Sequence, residues 1–194
     1  EIMKKIKNKI VYIGLSIDIL HHGHINLINE AQKYGDLIVG LYTDRAIVQK
    51  KRLPLISYEN RKKILKNING IKKIVPQNDW EYCNNLKKIK PDFMVHGDDW
   101  KLNEKNLRSK TIKTLKKINA KLIEIPFTKN ISSSALSERM FSQNMLPSTR
   151  MSSLRRMIES GKFCRIIETH SPLSALIAEN TFLQNKNGSK NEFD

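Results

Sequence analysis

The feature that most constrains the fold is a regular alternation of short apolar segments with longer amphipathic ones. The apolar segments are rich in β-branched residues and predict strands at KIVYIG (9–14), DLIVGLYT (36–43), IKKIVPQ (71–77), PDFMVHG (91–97) and AKLIEIPF (120–127). Helical patterns lie between them, from about residue 22, over 57–68, in the eighties and over about 104–118. Such alternation predicts a parallel sheet with helices on both faces.

Turn and capping residues give the expected limits of these elements. Gly35 predicts a left-handed stop for the first helix, and Ser57 is a candidate N-cap for the second. We expect Pro76 to end the third strand.

Polar and glycine-containing segments follow four of the five strands. They are the loop after Gly14, the pair TD (43–44), HGDDW (96–100) and TKNISSS (128–134). In an open α/β sheet, ligands bind at the carboxyl ends of the strands. These four segments therefore converge on one edge of the sheet, where we expect an active site.

The segment HHGH (21–24) stands between the first strand and the first helix. Gly23 permits close approach of the backbone to a ligand, and a helix N-terminus favours phosphate. His21 and His24 can donate hydrogen bonds to phosphate oxygens as charge shifts in a transition state. Two alternatives are a zinc site, for which Asp18 is the nearest carboxylate, and a solvated histidine cluster that caps the helix.

The composition limits the classes of ligand and the cellular setting that the protein can have. The chain has 194 residues and a formal net charge of +16, which attracts polyanions. Because the lysines are spread over the whole chain, a small anionic substrate fits this charge as well as nucleic acid does. No apolar run reaches the roughly 18 to 20 residues of a membrane helix, and Cys83 and Cys164 form no CxxC pair. We expect a cytoplasmic protein without a signal peptide.

Four motifs in order resemble the cytidylyltransferase branch of the H-x-G-H nucleotidyltransferases. They are GLSIDILHHGH (14–24), RLPLISYENR (52–61), VHGDDW (95–100) and ISSSALSERM (131–140). The resemblance implies a Rossmann-like domain over residues 8–140. It also implies transfer of CMP from CTP, with Mg²⁺ accompanying the nucleotide and pyrophosphate leaving.

The resemblance also implies roles for individual residues. The implied catalytic residues are His21, His24, Lys51 and Arg139. The implied nucleotide-binding residues are Gly14, Ser16, Gly23, Asp98, Ser132, Ser133 and Ser134. The implied substrate-binding residues are Asp18, Arg61, Trp80 and Trp100. No side chain is expected to hold a metal of its own, and Lys50 and Asp99 are alternatives to Lys51 and Asp98.

The pattern changes after residue 140. Residues 141–152, which include Pro147, predict a linker. Residues 153–194 read as helix, glycine turn, strand and helix, and FCRIIETHSPLSALIAENT (163–181) resembles the start of phosphoenolpyruvate mutase, a (β/α)₈ barrel. Because such a barrel needs about 250 residues, we expect an incomplete α/β fragment without mutase activity.

Three hypotheses for function follow. The fused mutase start favours a small phosphonate as the acceptor of CMP, as in phosphonate biosynthesis. The first alternative is cytidylyl or adenylyl transfer to an alcohol phosphate such as glycerol phosphate. The second is an inactive basic scaffold that binds nucleic acid, against which the retained motifs argue. We expect a homodimer and no membrane partner.

Overall fold

A computed structural model describes residues 9–126, 155–161, 168–180, 182–184 and 190–192. The strands of the main sheet are β1 (Ile10–Leu15), β2 (Asp36–Tyr42), β3 (Ile71–Gln77), β4 (Phe93–Gly97) and β5 (Lys121–Ile125). The helices among them are α1 (His22–Gln32), α2 (Asp44–Ile47), α3 (Tyr58–Lys66), α4 (Cys83–Ile89), α5 (Trp100–Asn103) and α6 (Lys105–Lys117). All five predicted strands are present.

The five strands form one parallel sheet in the order β3-β2-β1-β4-β5. Strand β1 pairs with β2 on one side and with β4 on the other. The chain thus reverses its direction of winding between β1 and β4, and this switch point is where open α/β sheets bind ligands. The predicted Rossmann-like parallel sheet is confirmed.

Helices cover both faces of the sheet, as β1 illustrates. Successive side chains of a strand point to opposite faces. Val11 and Ile13 lie in the hydrophobic cluster that contains Ile28 of α1, whereas Tyr12 lies in the cluster that contains Leu86 of α4. Because both faces are covered, β1 is apolar throughout rather than alternating.

Two predicted element limits were wrong, and the third, at Ser57, was right in position. Strand β3 continues through Pro76 to Gln77; proline is tolerated because β3 is an edge strand with a neighbour on one side only. Helix α1 ends at Gln32, and Gly35 lies in the following turn with φ 153°. Ser57 occupies the N-cap position of α3 but makes no side-chain capping hydrogen bond.

Two short helices, α2 and α5, were not predicted. Each has four residues, which is too short for a 3.6-residue period to be recognised in the sequence.

The chain after residue 126 is described only in part. Residues 155–159 are helical. Helix α7 (Pro172–Asn180) follows, and β6 (Phe182–Gln184) pairs antiparallel with β7 (Lys190–Glu192). The predicted linker and the predicted strand near residue 165 lie outside the described residues, so the barrel fragment stays a prediction. Within the described ranges, no helix has the length and apolar character needed to cross a bilayer.

Candidate active site

A cavity of about 350 Å³ opens at the carboxyl ends of β1, β4 and β5. It lies at the switch point of the sheet. Eight residues predicted from sequence line it, namely Gly14, Ser16, His21, Gly23, His24, Lys51, Trp80 and Trp100. The structure therefore brings residues from four separate stretches of the chain, two of them in the quoted motifs, to one place.

The two histidines meet at the N-terminus of α1. His21 is the N-cap, and its Nδ1 accepts a hydrogen bond from the Gly23 amide at 3.2 Å. His24, three residues on, accepts the His21 amide at its own Nδ1 at 3.4 Å. This is a reciprocal capping box made by two imidazoles. The two ring centroids are 3.9 Å apart.

The capping box fixes the tautomer of both rings. A nitrogen that accepts a hydrogen bond from a backbone amide carries no proton, so each neutral ring has its proton on Nε2. Burial lowers the pKa of both groups, for His24 to about 3, and this favours the neutral form. At neutral pH the site thus holds two imidazoles, each able to donate a hydrogen bond from Nε2.

An aromatic group forms the wall of the cavity next to β4. The His96 ring stacks on Trp100 at 3.8 Å between centroids, and the Trp100 indole donates to Glu124 at 2.7 Å. His96 Nδ1 lies 2.7 Å from the Gly97 carbonyl, which can only accept, so Nε2 accepts from the Tyr82 hydroxyl at 3.1 Å.

Tyr82 was not predicted as a site residue. It packs directly over the end of β1, where a Cβ added to Gly14 would lie 2.2 Å from Tyr82 Cε1. Gly14 is therefore needed for this close approach. His96 was also not predicted as a site residue, although it lies within the motif VHGDDW. Its role depends on packing against Trp100, which lies on a different element, α5 rather than β4.

Lys51 and Trp80 form the opposite side of the cavity. The Lys51 ammonium lies 5.6 Å from the Trp80 ring centroid. The Trp80 indole donates to Glu104 at 3.3 Å and its ring packs on Tyr42 at 5.2 Å. Of the two lysines considered from sequence, Lys51 and not Lys50 lines this cavity.

Arg61 does not line the cavity, and its role in substrate binding stays a prediction. The whole residue is buried, with 0% exposure. Its guanidinium donates to three backbone carbonyls and to one carboxylate, namely those of Ile56, Ser16, Tyr42 and Asp44. Burial lowers its pKa, although Asp44 favours the charged form. Arg61 therefore joins β1, β2 and the segment before α3.

Asp18 is also held by backbone, and its contact with a substrate stays a prediction. Its carboxylate accepts the Ile56 amide at 3.1 Å, and it does not line the cavity. Burial raises its pKa. The preceding residue, Ile17, is fully buried with a left-handed φ of 44°, a strained conformation for a β-branched residue.

The motif VHGDDW offers two aspartates, Asp98 and its alternative Asp99. Asp99, not Asp98, lines the cavity. Ser132, Ser133, Ser134 and Arg139 lie outside the described residues, so their roles stay predictions. In the part of the chain that the structure describes, no three His, Cys, Asp or Glu side chains are grouped as metal ligands.

Comparisons with known proteins agree with this geometry. The cytidylyltransferase-like family profile matches residues 12–139. The chain is 40% identical over 95 residues to a glycerol-3-phosphate cytidylyltransferase of Bacillus spizizenii, which covers 48% of this chain and 73% of that enzyme. It is 37% identical over 84 residues to an ethanolamine-phosphate cytidylyltransferase of Mus musculus, covering 42% of this chain and 21% of that enzyme.

A solved structure has a similar fold. The lipopolysaccharide core biosynthesis protein of Thermoplasma volcanium superposes with a TM-score of 0.54 and 25% identity, covering 62% of this chain and 98% of that protein. None of the relatives named here concerns phosphoenolpyruvate mutase, and the resemblance of residues 163–181 to it stays a prediction. With the family profile spanning well over half of its length, the chain belongs to the cytidylyltransferase-like family and is a nucleotidyltransferase.

Proposed function

We propose that the protein transfers a cytidylyl group from CTP to the phosphate of a small alcohol phosphate and releases pyrophosphate. The observation that carries this proposal is the pair of neutral imidazoles at the N-terminus of α1, with both Nδ1 atoms engaged by backbone amides. The cavity beside them contains a cation, Lys51, and stacked aromatic rings. The names of the glycerol-3-phosphate and ethanolamine-phosphate relatives support the nucleotide and the acceptor class.

The reaction needs no covalent enzyme intermediate. An oxygen of the acceptor phosphate attacks the α-phosphorus in line, and a new oxygen–phosphorus bond forms. The bond from the α-phosphorus to the oxygen bridging it to the β-phosphorus breaks, and its electron pair leaves with pyrophosphate. Charge spreads over the oxygens at phosphorus in such transition states, so positioning and electrostatic stabilisation provide the rate.

The residues of this chain can supply both. Nε2 of His21 and of His24 donates hydrogen bonds to the phosphate oxygens, where donors already fixed in place stabilise developing charge. The positive end of the α1 dipole and the Lys51 ammonium attract the triphosphate. Because the imidazoles are neutral, they can donate these hydrogen bonds without the energetic cost of placing two positive rings 3.9 Å apart.

We propose that Mg²⁺ accompanies the triphosphate. Mg²⁺ is usually held by one or two carboxylates together with substrate phosphates, and it keeps several waters. The Asp99 carboxylate, whose side chain is 43% exposed beside the cavity, is suited to such a contact. The ion would neutralise charge on the phosphates.

An alcohol phosphate is preferred to the phosphonate acceptor expected from the mutase resemblance. The two cytidylyltransferases named above carry alcohol phosphates in their names, and the mutase resemblance lies outside the residues that the family profile matches. A homodimer and a cytoplasmic location stay predictions from the sequence.

A pyrophosphate-release assay tests the proposal. All four nucleoside triphosphates are combined with glycerol 3-phosphate, phosphoethanolamine or 2-hydroxyethylphosphonate. We expect release with CTP and an alcohol phosphate. Since one fixed donor is worth about 10² to 10³ in kcat, His21→Ala and His24→Ala should each lower kcat by about that factor.

His22→Ala is the matched control, because His22 lies between the two histidines but is exposed and outside the cavity. It should keep wild-type activity. Absence of release with every pair of substrates would refute the proposal, and so would equal activity of the His24→Ala and His22→Ala variants. Release with the phosphonate alone would restore the acceptor first expected from the sequence.

A further inference from the structure

The loop between α2 and α3 (residues 48–57, the α2–α3 loop) carries Lys51 into the cavity. Lys51 itself is exposed, so its position depends on how the rest of the loop is held. Leu53 and Pro54 are buried in the second half of the loop. There the Ile56 amide donates to Asp18, and the Ile56 carbonyl accepts from Arg61.

Two further hydrogen bonds to this loop come from a distant part of the chain. Arg156 donates from Nη1 to the Leu55 carbonyl at 2.9 Å and from Nη2 to the Pro54 carbonyl at 2.8 Å. Nη2 also lies 3.1 Å from the Asp44 carboxylate. The Arg156 side chain is 19% exposed, and its Nε is buried without a hydrogen-bond partner among the described residues.

Asp44 links the two arginines. One oxygen of its carboxylate accepts from Arg61 at 2.6 Å, and the other accepts from Arg156. Arg61 in turn holds the Ser16 carbonyl, at the cavity end of β1. The helix at residues 155–159 is thus connected to the cavity in two ways: through the α2–α3 loop and through Asp44.

We propose that Arg156 is a positioning residue for the transferase site: by fixing Pro54 and Leu55 it fixes the α2–α3 loop and places Lys51 against the triphosphate. Arg156 lies after residue 139, where the family match ends. The segment after the matched region is therefore a working part of the transferase site. The effect on the triphosphate rests on the function proposed above, whereas the effect on the loop does not.

The test compares Arg156→Ala and Arg156→Lys with Arg155→Ala, all in the full chain. Arg155 is the exposed neighbour, so its replacement removes the same charge without touching the loop. Hydrogen–deuterium exchange over residues 48–57 measures loop order without a ligand. Steady-state kinetics with CTP measures the consequence for binding.

For Arg156→Ala we expect about tenfold faster exchange in the α2–α3 loop, since two hydrogen bonds and an ion pair are lost. We also expect about a tenfold higher KM for CTP with kcat within about twofold, because ground-state and transition-state binding weaken together. Arg156→Lys, which keeps the charge but lacks the planar fork, should lie between wild type and Arg156→Ala.

Equal loop exchange in the Arg156→Ala and Arg155→Ala variants would overturn the proposal. Faster loop exchange with an unchanged KM for CTP would also overturn it, because the loop would then not position Lys51 for the nucleotide. If wild-type protein released no pyrophosphate from any triphosphate, the proposed function would fail. In that case the exchange measurement would still decide whether Arg156 orders the loop.

Discussion

Arg61 gives the sharpest test of the difference between sequence and structure. The sequence places it among substrate-binding residues, and the structure shows a buried guanidinium that joins three segments of backbone. Arg61→Met keeps the length of the side chain and removes every donor. A structural role predicts a large loss of stability, whereas a substrate contact predicts a higher acceptor KM.

The magnitude follows from the hydrogen bonds that are lost. Three backbone carbonyls, one buried and two partly buried, lose their guanidinium donor, at about 1 to 1.5 kcal/mol each. The Asp44 carboxylate keeps Arg156 as its partner, so no charge is left wholly unpaired. We therefore expect the free energy of unfolding to fall by about 3 to 4.5 kcal/mol, the sum for the three hydrogen bonds.

Urea denaturation, monitored by tryptophan fluorescence, measures this change. Arg45→Met is the matched control, because Arg45 is exposed in α2 and should change stability by no more than about 0.5 kcal/mol. If Arg61→Met unfolded like the Arg45→Met variant and raised only the acceptor KM, the structural role would be refuted and the role predicted from sequence restored.

Three more predictions concern the pH dependence of stability and the packing at Gly14. Burial lowers the pKa of His24 to about 3 from 6.5, so below pH 6.5 the unfolded chain takes up a proton that the folded chain does not. The free energy of unfolding should therefore fall as the pH falls from about 6.5 towards 3. His24→Gln should flatten this part of the curve of stability against pH. The hydrogen bond from Arg108 is the main reason that the pKa of Glu124 is lowered to about 2 from 4.5. The stability that Glu124 contributes is present above pH 4.5 and is lost as the pH falls towards 2. Glu124→Gln should remove this second decline when unfolding is measured over a series of pH values. Gly14→Ala should cost about 1 to 3 kcal/mol in the same assay, because the added Cβ would lie 2.2 Å from Tyr82 Cε1; wild-type stability would contradict the packing described here.

The sheet was predictable because its strands are continuous apolar runs with clear turn residues between them. Strand β1 shows why: both of its faces are buried, so every position of the strand favours the same assignment. The limits of elements were less predictable. A proline usually ends a strand, but this restriction does not apply to an edge strand. Pro76 lies in such a strand, and which strand is at the edge is a property of the whole sheet.

Part of the site was also predictable. His21, His24 and Lys51 follow from the motifs and from the rule that strand ends converge. The positions of Asp18 and Arg61 outside the cavity were not predictable, because the sequence shows which residues are charged but not which charges are buried against each other. Tertiary packing decides that, as it does for His96, which was read as part of a strand and proved to stack on Trp100.

Strand β3 has a consequence for self-association. An outer strand with unpaired backbone groups is a template on which another chain can add a strand. On β3 this tendency is opposed by Pro76 and by the exposed side chains of Lys72 and Lys73. Two copies of the protein are therefore poorly suited to pair their sheets through the β3 edge. A dimer would have to form through a different surface.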